Sequence, residues 1–141
     1  MQAPDVVRLE LPANARYLNV LAVCIGEMLS RVDGMEDPQQ TIYNIQLAVH
    51  EGCTNIVDHA YVDDGGRIAV NLMLGWTPPQ IIVELHDNGR PFDPDTIPEP
   101  DFEEPQVRGY GLFLMRQIMD EVVYDPQPGH NCWRMVKYLS T

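Results

Sequence analysis

The run Ile81-Ile-Val-Glu-Leu-His-Asp-Asn-Gly89 decides how this chain folds. Ile81, Val83 and Leu85 alternate with Glu84 and His86, the period-two signature of a strand with one buried face. Asp87 falls in phase with the apolar set. Alternation therefore turns a carboxylate toward the core side, where an unpartnered charge is costly. Asn88-Gly89 then bends the chain and lets backbone approach a flat group closely. A turn that merely ends a strand carries the same residues, so the run needs companions before it implies a ligand.

Upstream, Pro78-Pro79 separates this strand from Ile68, Val70, Leu72 and Leu74, which share one face of another. So short a link predicts antiparallel pairing. Asp63-Asp64-Gly65-Gly66 reads as a turn. Before it, Asp37-Pro38 announces a helix, a capping carboxylate followed by proline at the first position, running to about Ala60. Val7, Leu9 and Leu11 form a short first strand that Pro12 ends. Asn14 then caps a helix bearing Leu18, Leu21, Ile25, Met28, Leu29 and Val32, stopped by Asp33-Gly34.

Downstream, residues 88–111 form a long loop, with five prolines and six acids between Pro91 and Pro105. Loops of this length are usually functional. A helix follows from Leu112 to about Asp120. Two strands, 121–124 and 132–139, flank a turn at 126–130. The order βααββαββ predicts an α+β fold: a two-layer α/β sandwich with helices on one face of a mixed, mostly antiparallel sheet. A length of 141 residues suits one domain with one core, residues 1–141.

Two companions to Asp87 emerge. On the helix, Glu51 and Asn55 stand four residues apart and are side-chain neighbours on the side opposite Ile45, Val49, Cys53 and Ile56; Asp58 shares their face. A carboxylate and an amide so placed can hold a divalent cation and activate a hydroxyl beside it, although any solvated helix face shows polar residues in this way. Gly52 beside them points to a close approach, whether of a ligand or of packed neighbours. The second companion is Gly109-Tyr-Gly111 before Leu112-Phe-Leu-Met. Glycines at a helix N-terminus expose N–H groups to phosphate oxygens, and Arg108 adds a fork of donors. Flexible loop geometry explains the glycines about as well. Taken together, in this order, the three stretches supply a base, a metal ligand, an adenine acceptor and a phosphate cradle.

Composition narrows the partners. A net charge of −12 repels a phosphate backbone, which disfavours nucleic acid and anionic membranes and favours a protein with a basic face. No apolar run approaches the roughly 20 residues needed to cross a bilayer. The start, Met-Gln-Ala-Pro-Asp, lacks the features of a secretion signal, so a cytoplasmic protein is expected. Cys24, Cys53 and Cys132 have no CxxC spacing and read as small core residues in a reducing compartment.

The three stretches resemble the boxes of the GHKL ATPase superfamily. Glu51-x-x-x-Asn55 is similar to its N box, Asp87-x-Gly89 to its first glycine box, and Gly109-x-Gly111-Leu112 to its second. Within the superfamily the chain looks most like the anti-sigma-factor serine/threonine kinases. Asn55-Ile-Val-Asp-His59-Ala60-Tyr61, Asp87-Asn-Gly-Arg-Pro-Phe-Asp-Pro94 and Arg108-Gly-Tyr-Gly-Leu-Phe-Leu-Met115 carry that likeness. The resemblance implies a Bergerat ATP-binding fold, with Glu51 as general base and Asn55 as the Mg²⁺ ligand. It implies that Asp87 accepts from the adenine amine, with Gly89 beneath the base. Arg108, Gly109 and Gly111 would contact phosphates, and Asp58, Phe92, Tyr110 and Leu112 would complete the nucleotide-contacting set. The acidic segment 93–107 would be the ATP lid. It further implies a homodimer that binds a sigma factor and phosphorylates an antagonist STAS-domain protein. Two other expectations stand beside it: a non-catalytic ATP-binding switch, and a stand-alone ATPase domain like that of a histidine kinase.

Overall fold

The structure, a computed structural model, describes residues 2–61, 65–92 and 110–139. Its elements run β1 (Asp5–Pro12), a 3-10 turn (Ala15–Tyr17), α1 (Leu18–Leu29), α2 (Pro38–Asn55), a π-helical turn (Ile56–Ala60), β2 (Arg67–Trp76), β3 (Pro79–Asp87), α3 (Tyr110–Ile118), β4 (Glu121–Gln127) and β5 (His130–Tyr138). The five strands form one sheet in the order β1-β2-β3-β5-β4. Every pair among the described strands is antiparallel. The expected two-layer architecture is thus observed. The chain leaves β3, crosses through α3, makes the edge strand β4, and returns to place β5 against β3.

Alternation explains the layering. Ile68, Val70, Leu72 and Leu74 of β2 and Ile81, Val83 and Leu85 of β3 are buried against the helices, as are Trp133 and Met135 of β5. Burying each such side chain contributes about 1.5–3 kcal/mol. From the helix layer, Leu21, Ile25, Ile45, Val49, Cys53 and Met115 meet them. The side chains between, among them Asn71, Glu84, His86, Cys132 and Arg134, fall on the sheet's other face, where they are only half buried.

Several local expectations are corrected. Asp37 does occupy the N-cap position of α2, but it has a left-handed φ of 43° and its side chain makes no cap hydrogen bond; Thr41 Oγ1 instead donates to the Glu36 carbonyl at 3.0 Å. Asn14 caps the short 3-10 turn by accepting from Arg16 N at 3.0 Å, ahead of α1 proper. α1 ends at Leu29, before Val32. β4 and β5 run further toward their turn than the sequence indicated, so Asn131 lies within β5. Cys53 is in the core, whereas Cys24 and Cys132 are half buried, Cys132 on the outer face of the sheet.

Candidate active site

α2 joins the three stretches. Its last turn widens from α to π at Ile56–Ala60, a distortion that concentrates at functional sites. That turn delivers two carbonyls to the strand-end loop. The Ala60 carbonyl accepts from Arg90 N at 2.7 Å, and the His59 carbonyl accepts from Arg90 Nη2 at 3.3 Å. A cation at a helix C-terminus complements the dipole there. Gly89 packs so tightly on Ala60 that a Cβ would overlap the Ala60 carbonyl, which is why glycine follows Asp87-Asn88. Tyr61 pins the same loop, its hydroxyl accepting from Asn88 N at 3.0 Å and donating to the Arg67 carbonyl at 2.8 Å.

The other end of the helix face meets α3. A Cβ on Gly111 would stand 2.7 Å from Glu51 Oε2, so the carboxylate lies against the backbone of the second glycine box. Gly52, one residue on, faces the opposite way. A Cβ there would meet Leu85 Cδ1 at 2.9 Å and Met135 Cε at 3.3 Å, so packing on the sheet accounts for this glycine.

Asp87 is 4% exposed, and its burial is satisfied by hydrogen bonds. Oδ1 accepts from Gly89 N at 2.9 Å and from Asn131 Nδ2 at 3.0 Å. Asn131 is also buried, and its Nδ2 donates to the Gly89 carbonyl at 3.0 Å. Among the described residues, two side-chain atoms in this region, Asn131 Oδ1 and Asn55 Nδ2, are buried without a hydrogen-bond partner. Each such atom costs about 1–3 kcal/mol when nothing pairs it, so both amides have unused hydrogen-bonding capacity. The Asn55 amide presents a hard oxygen as readily as its nitrogen once the group is turned over, so the N-box pair fits a Mg²⁺ ion.

Of the remaining expected contacts, Asp58 is exposed in the middle of the π turn and Tyr110 opens α3. Leu112 faces the core at 6% exposure. Phe92 closes an aromatic cluster, with ring centroids 5.8 Å from Trp133, 6.1 Å from Tyr124 and 5.6 Å from His59. Phe92 N donates to the Tyr124 hydroxyl at 2.7 Å. Burial, with the Asp87 carboxylate nearby, pushes that phenol above its ordinary range, so it stays neutral. Arg108, Gly109 and the acidic segment 93–107 lie outside the described residues. Asn131 is the functional candidate the sequence missed. It follows a Pro-Gly turn; its phase with Trp133 and Met135 turns it to the helix side of β5, but only the pairing of β5 with β3 brings it to Asp87.

Comparisons with known proteins point to the same fold. The serine-protein kinase RsbW of Halalkalibacterium halodurans is 33% identical over 127 residues, 84% of this chain and 75% of that protein. The serine-protein kinase RsbW of Bacillus cereus strain Q1 is 29% identical over 131 residues, 86% of this chain and 78% of its own length. Among solved structures, the RsbU and RsbW domains of Rv1364c from Mycobacterium tuberculosis superpose with a TM-score of 0.70 at 19% identity, covering 97% of this chain and 33% of that one. A histidine kinase domain from Erythrobacter litoralis EL346 gives a TM-score of 0.57 at 22% identity, covering 99% of this chain and 69% of the other. These two establish likeness of fold. The family model of the histidine kinase-like ATPase domain matches residues 11–137, from β1 to β5 with every helix between, and the chain belongs to that family.

Proposed function

We propose that the chain is an ATP-dependent serine/threonine kinase of the anti-sigma-factor type, which phosphorylates a STAS-domain antagonist and holds a sigma factor or other regulator. The observation that carries this reading is the placement of Glu51 against Gly111, base beside phosphate cradle, on a helix whose far end grips the Asp87-Asn88-Gly89 loop. Relatives named serine-protein kinases support it.

In this mechanism Asp87, oriented by Gly89 N and Asn131, accepts from the exocyclic amine of adenine. The N–H groups at the start of α3 receive phosphate oxygens, joined by Arg108 and Gly109. Asn55 would hold Mg²⁺, which when bound neutralises charge on the phosphates. Glu51 takes the proton of the attacking serine or threonine hydroxyl as its oxygen bonds to the terminal phosphorus, and the bond to the leaving ADP oxygen breaks.

The partner set follows the same reading. The charge of −12 supports protein partners over nucleic acid. Among the described residues no helix is long and apolar enough to cross a membrane, which is compatible with a cytoplasmic protein. The exposed apolar side chains Val6 and Val7 on β1, Tyr17 at the end of the 3-10 turn, and Val20 and Val23 on α1 support a homodimer through that edge. The decisive assay combines the chain, labelled ATP, Mg²⁺ and a STAS partner. Phosphoserine or phosphothreonine on the partner, lost with Glu51→Ala, is expected. No transfer, or transfer unchanged by that substitution, rejects the mechanism. The six acids between Pro91 and Pro105 favour, as a second reading, a switch that binds ATP and partner without turnover. Tight partner binding with no phosphorylated product would support it.

A further inference from the structure

On the sheet face turned away from the helices we propose a zinc site formed by Glu84, His86 and Cys132. Alternation puts Glu84 and His86 side by side along β3, and His86 pairs directly with Cys132 across the β3–β5 ladder. One ligand atom from each lies within 4.8 Å of the other two. His86 Nε2 is 3.4 Å from Glu84 Oε1 and 3.9 Å from Cys132 Sγ. A tetrahedral zinc ion with bonds of roughly 2.0–2.3 Å separates its ligands by about 3.3–3.7 Å, so small side-chain adjustments close the cluster on one ion. Thiolate, imidazole and carboxylate together suit zinc rather than magnesium or calcium, and three protein ligands leave a fourth position for water.

Neighbouring groups hold these ligands in the orientation a metal needs. His86 Nδ1 is 2.9 Å from His130 Nε2, and donating its proton there leaves the Nε2 lone pair facing the cluster. Asn71 Nδ2 donates to Glu84 Oε1 at 3.1 Å, while Arg134 stands 4.0 Å from the other oxygen, Oε2. Burial alone would raise the Glu84 carboxyl, but the hydrogen bond from Asn71 and the charge of Arg134 act against it. Burial, with Glu84 and Asp125 nearby, pushes the Cys132 thiol up to about 11, so zinc binding exchanges one thiol proton for a sulfur–zinc bond. Cys132 has no CxxC-type spacing to either of the other ligands, because the fold rather than the sequence brings it to the Glu84–His86 pair.

The test uses the full chain, stripped of metal under a phosphine reductant and titrated with zinc against a chromophoric chelator. One zinc per chain is expected. Cobalt in its place should show a sulfur-to-cobalt charge-transfer band and the intense visible bands of a four-coordinate ion. Cys132→Ser should abolish the sulfur band and weaken zinc binding by more than about tenfold, His86→Gln should weaken it similarly, and Cys24→Ser should change neither. Absence of stoichiometric zinc uptake, or uptake unaltered by both Cys132→Ser and His86→Gln, overturns the proposal. Should Cys132→Ser fail to fold, alkylation of Cys132 in the native chain replaces it: protection by one equivalent of zinc supports the site, and unchanged alkylation refutes it.

Discussion

Asn131 reaches across the β3–β5 ladder to Asp87, its Nδ2 giving one hydrogen bond to Asp87 Oδ1 at 3.0 Å and another to the Gly89 carbonyl at 3.0 Å. One buried amide thereby fixes both the carboxylate and the turn that follows it. Asn131→Ala leaves Asp87 with Gly89 N alone, at a cost of about 1–3 kcal/mol in stability. Nucleotide affinity should fall by about tenfold, the equivalent of one lost positioning bond. Asn131→Asp should do worse, since it sets a second carboxylate against the first. Thermal melts and a fluorescent-nucleotide titration measure both effects, and undiminished affinity in both variants would remove Asn131 from the site.

Two glycines should respond oppositely to alanine. At Gly111 the new methyl meets Glu51 Oε2, the far end of a flexible side chain, at 2.7 Å. Gly111→Ala should therefore melt close to the parent while transfer drops, as the carboxylate is pushed from its place. At Gly89 the methyl meets the Ala60 carbonyl, which is backbone and cannot swing aside. Gly89→Ala should cost about 1–3 kcal/mol in stability, and the two melting curves side by side decide the matter.

Glu51→Gln keeps shape and removes the base. Phosphotransfer should fall by about 10²–10⁴-fold while nucleotide affinity changes only slightly. Single-turnover kinetics beside a binding titration separate the two quantities. Equal losses in both would make Glu51 a binding group.

Much of this was legible in the sequence because it is local. Ile68, Val70, Leu72 and Leu74 fix one strand by alternation, Ile81, Val83, Leu85 and Asp87 another, and Glu51 and Asn55 share a helical face by spacing. The placement of β5 beside β3 was not legible, since it depends on the crossover through α3. Asn131 and the Glu84–His86–Cys132 cluster depend on that placement. Phe92, which the resemblance places among the nucleotide contacts, packs on Trp133, Tyr124 and His59. The side-chain cap expected of Asp37 gave way to a left-handed backbone at that residue.

Cys53 is fully buried, and burial pushes its thiol up to about 12. Alkylating reagent at pH 8 should modify Cys24, which is half buried, well before Cys53, with Cys53 reacting only on unfolding. The pH dependence has a defined sign. The folded state favours the neutral thiol, so its contribution is complete below the ordinary thiol range and is lost as pH climbs toward about 12. Mass spectrometry after timed labelling checks the order, and early labelling of Cys53 would contradict the packing of α2 on the sheet.

The last two rungs of the β3–β5 ladder, His86 with Cys132 and Asp87 with Asn131, carry different chemistry on opposite sides of the sheet. Sliding one strand past its neighbour by a single residue would exchange these sides. If β5 slid, the Asn131 amide would be marooned in solvent, away from Asp87, while the Cys132 thiol entered the oily layer beneath the helices. Such misalignment is penalised twice, once on each surface, so the parity of this pairing is guarded by polar groups as much as by the apolar ones.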